Sequence, residues 1–222
     1  MNSMAESHRL AHVSEDGLRQ QTVLEHLNGT ANLAFGFAEP FGAAAQAYLA
    51  GMLHDIGKYS DAFQKRLAGG EKTDHSTAGA QEAFSMRQLE VAFAVAGHHG
   101  GLPDGGAKSD TESSTLFGRI KKTAIPDYSG WKQEIKLPDT TERKHFPDGF
   151  STAFYTRMLY SCLVDADFLD TEQFMNNGTV QRDSGESMDV LLEKLQNYTA
   201  KWLINRNDTT IDGRRSEILR NC

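Results

Sequence analysis

Histidines recur in segments of the chain that are otherwise rich in apolar residues. The sharpest case is the pair His54-Asp55, which follows the largely apolar run from Tyr48 to Leu53. The other histidines in or beside such segments are His26, His75, His98 and His99. Imidazole is the commonest protein ligand for transition metals. Any one of these side chains could be a hydrogen-bonded core histidine, but together they favour a metal site.

A further ligand is expected from the apolar segment between Thr152 and Leu169, which carries Asp165 and Asp167. An isolated carboxylate inside such a helix is strongly destabilising unless it is paired or binds a cation. We predict that Asp165 is this ligand and that Asp167 and Asp170 face solvent near the helix end.

The candidate ligands are five imidazoles and the carboxylates of Asp55 and Asp165, more than one cation usually takes. We therefore predict two divalent cations that share a carboxylate, an arrangement able to activate water for attack on a phosphodiester. Such a pair would add +4 to the formal charge of −7, leaving −3, and would concentrate positive charge in the cleft. Mixed imidazole and carboxylate ligation suits Mn, Fe, Co or Ni better than Mg, which prefers oxygen ligands.

The elements that must position these side chains are predicted to be helices. Apolar residues recur at helical spacing along most of the chain, whereas strict alternation over strand lengths is scarce. The fold class is therefore predicted to be all-α, with long loop insertions. The predicted helices span residues 18–37, 43–56, 60–68, 76–84, 87–97, 152–169, 187–205 and 213–221. The stretch 103–149 is predicted to be an insertion with one short helix at 115–122, and 171–186 a second polar loop.

Composition excludes several classes of protein and points to a compartment. A hydrophobic fraction of 39% with 24% charged residues is typical of a soluble globular protein and not of a disordered chain. No segment has the apolar length of a membrane span or a signal peptide. Only two cysteines occur, Cys162 and Cys222, and this favours a reducing compartment, so we expect a cytoplasmic protein without membrane contacts. The acidic balance argues against a broad basic face for duplex DNA.

The order of these motifs resembles the HD metal-dependent phosphohydrolase superfamily. The run from Gly51 to Gln64, followed by Asp74-His75-Ser76, is similar to the HD nuclease domain of the type I CRISPR-associated helicase-nuclease. Ala11-His12-Val13 also fits the opening of that family, and the resemblance extends from about residue 10 to 220.

The resemblance implies an HD-domain helical bundle that cuts single-stranded DNA with divalent transition metals in CRISPR antiviral interference. Each metal would take four ligands, and Asp55 would bridge the pair. The first metal would be held by His26, His54, Asp55 and Asp165, and the second by Asp55, His75, His98 and His99. Lys58 would lie near the substrate phosphate and is assigned with Asp55 to catalysis. His12 is expected to form a structural hydrogen bond.

The resemblance also implies partners and a domain organisation. Residues 1–205 would form the nuclease domain, and 206–222 would lead towards a helicase domain outside this chain. The helicase, as a fused domain or a separate subunit, would deliver an unwound strand to the site, together with an RNA-guided surveillance complex. Tyr128 or Trp131 in the long loop could stack on the bases of that strand.

Two other functions remain open from the sequence. The first is an HD phosphohydrolase that acts on nucleotides or cyclic dinucleotides with the same metals. The second is a non-catalytic docking module whose metals are structural. The native metal, the cleavage polarity and the preference for endonuclease or exonuclease cleavage also stay open.

Overall fold

A computed structural model of the protein describes residues 9–111, 114–138, 144–178, 180, 185–203 and 210–221. These residues contain ten α-helices, two short 3-10 helices and one antiparallel pair of strands. The strands are β1 (Leu10–Val13) and β2 (Gln20–Thr22), and the 3-10 helices are Glu39–Phe41 and Ile56–Tyr59. The α-helices are α1 (Val23–Ala38), α2 (Ala44–Leu53), α3 (Asp61–Leu67), α4 (Ser76–Ser85), α5 (Leu89–Gly97), α6 (Leu116–Ile120), α7 (Trp131–Glu134), α8 (Gly149–Met175), α9 (Met188–Ala200) and α10 (Ile211–Arg220). The predicted all-α fold class is confirmed.

The chain divides into two compact units, residues 1–180 and 181–222. The first contains both strands and α1 to α8. The second contains α9 and α10, and within it the hydroxyl of Ser216 donates a hydrogen bond to the carbonyl of Trp202 at 2.8 Å. The predicted domain boundary between residues 205 and 206 lies outside the described residues. None of the described helices combines the length and the apolar character that crossing a membrane requires.

The hydrophobic core of the first unit lies between α1, α2, α5 and α8. Helix α1 packs against α2 and α8, and α5 packs against α4 and α8. Fully buried side chains such as Leu27, Leu53, Val95, Leu159 and Leu163 fill these interfaces. Each such side chain contributes roughly 1.5–3 kcal/mol by its removal from water. Helices α1, α2 and α5 are thus each held against α8.

Helix α1 begins five residues later than the periodicity predicted. Residues 20–22 form β2 instead, and Thr22 caps the helix. Its hydroxyl accepts a hydrogen bond from the backbone N–H of Glu25 at 3.1 Å, while the Glu25 carboxylate accepts the backbone N–H of Thr22 at 2.8 Å. This reciprocal capping box satisfies two helix-end donors, so it decides where the helix starts. It places His26 at the beginning of α1.

Helix α8 is longer than predicted at both ends, so the predicted loop at 171–186 is wrong for residues 171–175. Asp148 caps the helix by accepting the backbone N–H of Ser151 at 2.8 Å. The insertion between residues 103 and 149 contains α6, close to the predicted short helix, and also α7.

Two glycines allow the segments that carry the candidate ligands to approach closely. A Cβ atom on Gly57 would lie 2.2 Å from the carbonyl oxygen of His75. A Cβ atom on Gly79 would lie 1.9 Å from the carbonyl oxygen of Leu53. Any larger residue at either position would therefore push the start of α4 away from the turn that follows α2.

Candidate metal centre

Asp55 lies at the centre of the clustered histidines, in the turn between α2 and the 3-10 helix Ile56–Tyr59. Its side chain is 1% exposed. Within the described residues, Oδ1 of Asp55 accepts no hydrogen bond. Nε2 of His98 likewise has no hydrogen-bond partner among these residues. A buried polar atom without a partner is costly, so the pair calls for a bound group.

The first group of candidate ligands surrounds Asp55 Oδ2. His26 Nε2 lies 3.4 Å from this oxygen and 3.3 Å from Asp167 Oδ1. His54 Nε2 lies 3.5 Å from each of the same two oxygens and 3.1 Å from His26 Nε2. A tetrahedral cation with bonds of about 2.1 Å would separate its ligand atoms by about 3.4 Å. The four atoms therefore have the spacing of one metal site.

The second group surrounds Asp55 Oδ1. The Nε2 atoms of His75, His98 and His99 lie 3.4, 3.3 and 3.9 Å from it. His75 Nε2 is also 2.6 Å from His99 Nε2. The His99 side chain is half exposed, whereas the other three side chains are buried, so this group borders solvent. Asp55 belongs to both groups through different oxygens, as a bridging ligand would.

The second ring nitrogen of each buried histidine is held by an acceptor. Nδ1 of His54 and of His98 lies 2.7 Å from the backbone carbonyls of Gly51 and Val95. Nδ1 of His75 lies 3.1 Å from the carbonyl of Thr73. Since a carbonyl can only accept, Nδ1 carries the proton and Nε2 presents a lone pair to the cluster. Facing lone pairs repel one another unless a cation lies between them, so the residues present fit metal ions.

His26 is held by a carboxylate in place of a carbonyl. Its Nδ1 lies 2.7 Å from Asp170 Oδ2, which also accepts a hydrogen bond from the Gln21 amide at 2.9 Å. Gly29 leaves the room for this carboxylate, because a Cβ atom there would lie 1.8 Å from Asp170 Oδ1. A carboxylate behind a ligating histidine fixes the ring and strengthens it as a ligand. Asp170 therefore positions His26.

The electrostatics of the cluster favour bound positive charge. Burial opposes a charged imidazole at His26, but the carboxylates of Asp167, Asp170 and Asp55 raise its pKa to about 10. Burial alone would raise the pKa of Asp55, yet Lys58 and His54 hold that pKa well below its ordinary value. His54 and His26 likewise outweigh burial and lower the pKa of Asp167. The carboxylates of Asp55 and Asp167 are therefore ionised, and a proton and a metal cation compete for the His26 imidazole.

The structure corrects the placement predicted for Asp165. This residue is exposed and belongs to neither group, whereas Asp167 belongs to the first. At 100° per residue, Asp165 lies about 120° from the centre of the buried face of α8, Asp167 about 80° and Asp170 about 20°. The expectation that Asp167 and Asp170 face solvent is wrong, since their side chains are only 19% and 12% exposed. The angular position of each aspartate relative to the buried face of α8 is the sequence signal that could have identified Asp167 and Asp170 as buried.

Three further residues singled out in the sequence are Lys58, His12 and Trp131. Lys58 is buried, and its Nζ lies 2.8 Å from Asp55 Oδ2. His12 lies 2.8 Å from Gln21 Oε1 through Nδ1 and 3.1 Å from Lys58 Nζ through Nε2, which agrees with a structural role. His145 is exposed. Trp131 is buried, which removes it as a stacking surface.

A cavity of about 360 Å³ opens on the cluster. Its lining includes Asp55, Lys58, His98, His99 and Asp167. The volume is in the range of small-molecule sites. The ligand groups are thus reachable from solvent. An active site requires such access, whereas a structural metal site is closed to solvent.

In a comparison with protein families, residues 23–126 match the HD domain. The match contains all five candidate imidazoles and Asp55, and it ends before α8, which supplies Asp167. An HD domain implies a metal-dependent phosphohydrolase, and the clustered histidines and aspartates are compatible with metal binding. No curated protein matches the chain significantly.

Cation binding is expected to stabilise the fold. Added Mn²⁺ at a hundredfold excess over its dissociation constant should contribute about 2.7 kcal/mol per site, which raises the unfolding midpoint by about 5–10 °C for one site. The measurement is thermal unfolding of chelator-treated protein with and without Mn²⁺. The Asp55→Ala variant serves as the control and should show little of this shift. An unchanged midpoint for the wild type would contradict cation binding by the folded state.

Removal of the carboxylate behind His26 is expected to weaken metal binding. We expect Asp170→Ala to lower the affinity of the first group for Mn²⁺ by about 10–100-fold, the usual cost of losing such a partner. Calorimetric titration measures this affinity. Asp165→Ala, on the same helix but exposed, should bind Mn²⁺ like the wild type. Equal affinities for all three proteins would show that Asp170 does not position His26.

Proposed function

We propose that the protein is a nuclease that hydrolyses phosphodiester bonds of single-stranded DNA with two divalent metal ions. The observation that carries the proposal is Asp55, whose two oxygens face separate groups of ligands beside an open cavity. Two-metal sites of this kind suit in-line displacement at phosphorus. The similarity of residues 51–64 to the CRISPR-associated HD nuclease favours DNA as the substrate.

The residues of the cavity have separate tasks in this reaction. The bound cations would supply Lewis acidity and lower the pKa of a water molecule. Asp55 lies between the two groups of imidazoles and contacts both. Asp170 orients the His26 ring through the hydrogen bond that it accepts from Nδ1. The Lys58 ammonium lies at the cavity wall and would donate a hydrogen bond to a phosphate oxygen. The water molecule gives up a proton as its oxygen bonds to phosphorus, the bond from phosphorus to the leaving sugar oxygen breaks, and that oxygen takes up a proton.

The biological setting that we propose is antiviral defence in the cytoplasm. A helicase domain or subunit, recruited by an RNA-guided surveillance complex, would unwind the target and pass one strand to the cavity. This arrangement suits an acidic protein of net charge −7, because the helicase supplies the duplex contacts. Mn, Fe, Co or Ni are the metals we expect, since imidazole outnumbers carboxylate among the ligands.

Circular single-stranded DNA tests the proposed function against its rival. The chelated protein is reloaded with Mn²⁺ and incubated with the circle or with a panel of nucleoside monophosphates and cyclic dinucleotides. We expect the wild type to open and degrade the circle, and the Asp55→Asn variant to leave it intact. Phosphate release from monophosphates, or cleavage of cyclic dinucleotides, with the circle unchanged would instead establish a nucleotide phosphohydrolase.

A further inference from the structure

An exposed phenylalanine stands in the wall of the catalytic cavity. Phe168 follows Asp167 on α8, and its side chain is 62% exposed. Val164 and Thr171, about one helical turn before and after it, line the same cavity. The wall formed by these three residues is therefore continuous with the metal-ligand groups.

The chemistry of this side chain differs from that of the rest of the cavity. A phenyl ring cannot bind a cation as a ligand, nor can it donate a hydrogen bond to a phosphate oxygen. It offers an apolar face with a π system, and such a face can stack on any of the nucleobases. The ligand groups are suited to the phosphate of a nucleotide, and Phe168 is suited to its base.

The aromatic residues of the long loop do not offer this surface. Trp131 is only 5% exposed and belongs to the core. Tyr128 is partly buried against the core, where its hydroxyl donates to Glu82 at 3.4 Å. Of the aromatic side chains among the residues that line the cavity, Phe168 alone is neither a histidine nor buried.

We propose that Phe168 forms a nucleobase subsite, on which the base next to the scissile phosphate stacks. The inference rests on the proposed function and specifies its substrate. In a duplex, both faces of a base are covered by neighbouring bases, so only an unstacked, unpaired base can reach the ring. The subsite therefore selects single strands and is tolerant of sequence.

Helix α8 supplies a matched control for this role. Phe150 is 80% exposed and lies on the same face of the helix, since 18 residues make five turns. It is about 27 Å from Phe168 along the helix axis, and it does not line the cavity. Phe150→Ala thus removes an equivalent apolar surface from the same helix, away from the reaction.

Abasic substrates test the stacking contact directly. One abasic residue is moved along a labelled single-stranded oligonucleotide, and cleavage at each linkage is measured with Mn²⁺-loaded protein. The wild type and Phe150→Ala should cleave the linkage beside the abasic residue about 5- to 100-fold more slowly than the same linkage in the intact strand. Phe168→Ala should cleave the intact strand as slowly as the wild type cleaves the abasic one, with no further abasic penalty. Phe168→Trp should restore the difference.

The outcomes separate the subsite from the nuclease activity. If Phe168→Ala keeps the full abasic penalty, or if the wild type shows none while cleaving DNA, the subsite is refuted and the nuclease stands. If the wild type cleaves no oligonucleotide, the proposed function fails, and the subsite with it. The Mn²⁺-dependent rise in the unfolding midpoint, measured for Phe168→Ala, confirms that this variant retains its metal groups.

Discussion

Asp55→Asn is expected to lower kcat/KM for single-stranded DNA by about 1000-fold or more, a loss of about 4 kcal/mol of transition-state stabilisation. The substitution keeps the shape of the side chain but removes its charge. One of the two atoms that face the imidazoles becomes an amide nitrogen, which donates hydrogen bonds and cannot bridge metal ions. One ligand group therefore loses its carboxylate oxygen, the other keeps only a neutral amide oxygen, and no charged carboxylate joins the two groups.

The matched control for this prediction is Asp61→Asn. Asp61 is a mostly exposed aspartate at the start of α3, paired with Arg9 at 2.6 Å and absent from both ligand groups. Its substitution should leave cleavage within about twofold of the wild type, because surface ion pairs contribute little. Initial rates on a labelled linear strand, with helical content from circular dichroism, measure both variants. Near-normal cleavage by a folded Asp55→Asn variant would remove the basis of the shared-carboxylate site.

The second large effect concerns two aspartates that are two residues apart on α8. We expect Asp167→Asn to reduce cleavage by about 100-fold and to weaken Mn²⁺ binding at the first group. Asp165→Asn makes the same chemical change on the exposed side of the helix and should leave both properties unchanged. The comparison distinguishes the ligand assigned by the structure from the one that the sequence suggested.

Cleavage and metal titration of the two variants give opposite results under the two assignments. Loss of activity in Asp165→Asn, with Asp167→Asn unaffected, would restore the assignment made from the sequence. Equal activity in both would mean that α8 supplies no ligand. In each case the unfolding midpoint in the presence of chelator verifies that the variant is folded.

The candidate ligands of the HD motif could be predicted because sequence neighbours determine their position. His54-Asp55 follows the apolar helix α2, and His98-His99 follows the apolar helix α5. Their positions at helix ends could therefore be predicted from the neighbouring residues. His26 is indicated by its apolar neighbours, and His75 by its place at the start of a predicted helix. Asp55 belongs to both groups, and each of the histidines belongs to one of them.

The choice between Asp165 and Asp167 depended on the rotation of α8 about its axis. An apolar segment shows that a helix is buried, but only the angular positions of Leu159, Leu163 and Ala166 show which side is buried. Applied to the sequence, this angle would have favoured Asp167 and Asp170. The start of α1 was likewise encoded locally, in the capping residues Thr22 and Glu25.

Other features follow from tertiary contacts and have no local signal. The carboxylate of Asp170 reaches His26 because Gly29 leaves space for it and Gln21 donates to it from β2. Phe168 could not be distinguished from other aromatic residues until the cavity beside it was known. Such contacts join residues that are more than 100 positions apart in the chain.

Anomalous diffraction from crystals grown with Mn²⁺ is the most direct test of a dinuclear site built on Asp55. We expect two manganese peaks on opposite sides of its carboxylate. One peak should lie among His26, His54, Asp55 and Asp167, and the other among Asp55, His75, His98 and His99. A single peak, or two peaks of which neither is within coordination distance of Asp55, would contradict the shared carboxylate.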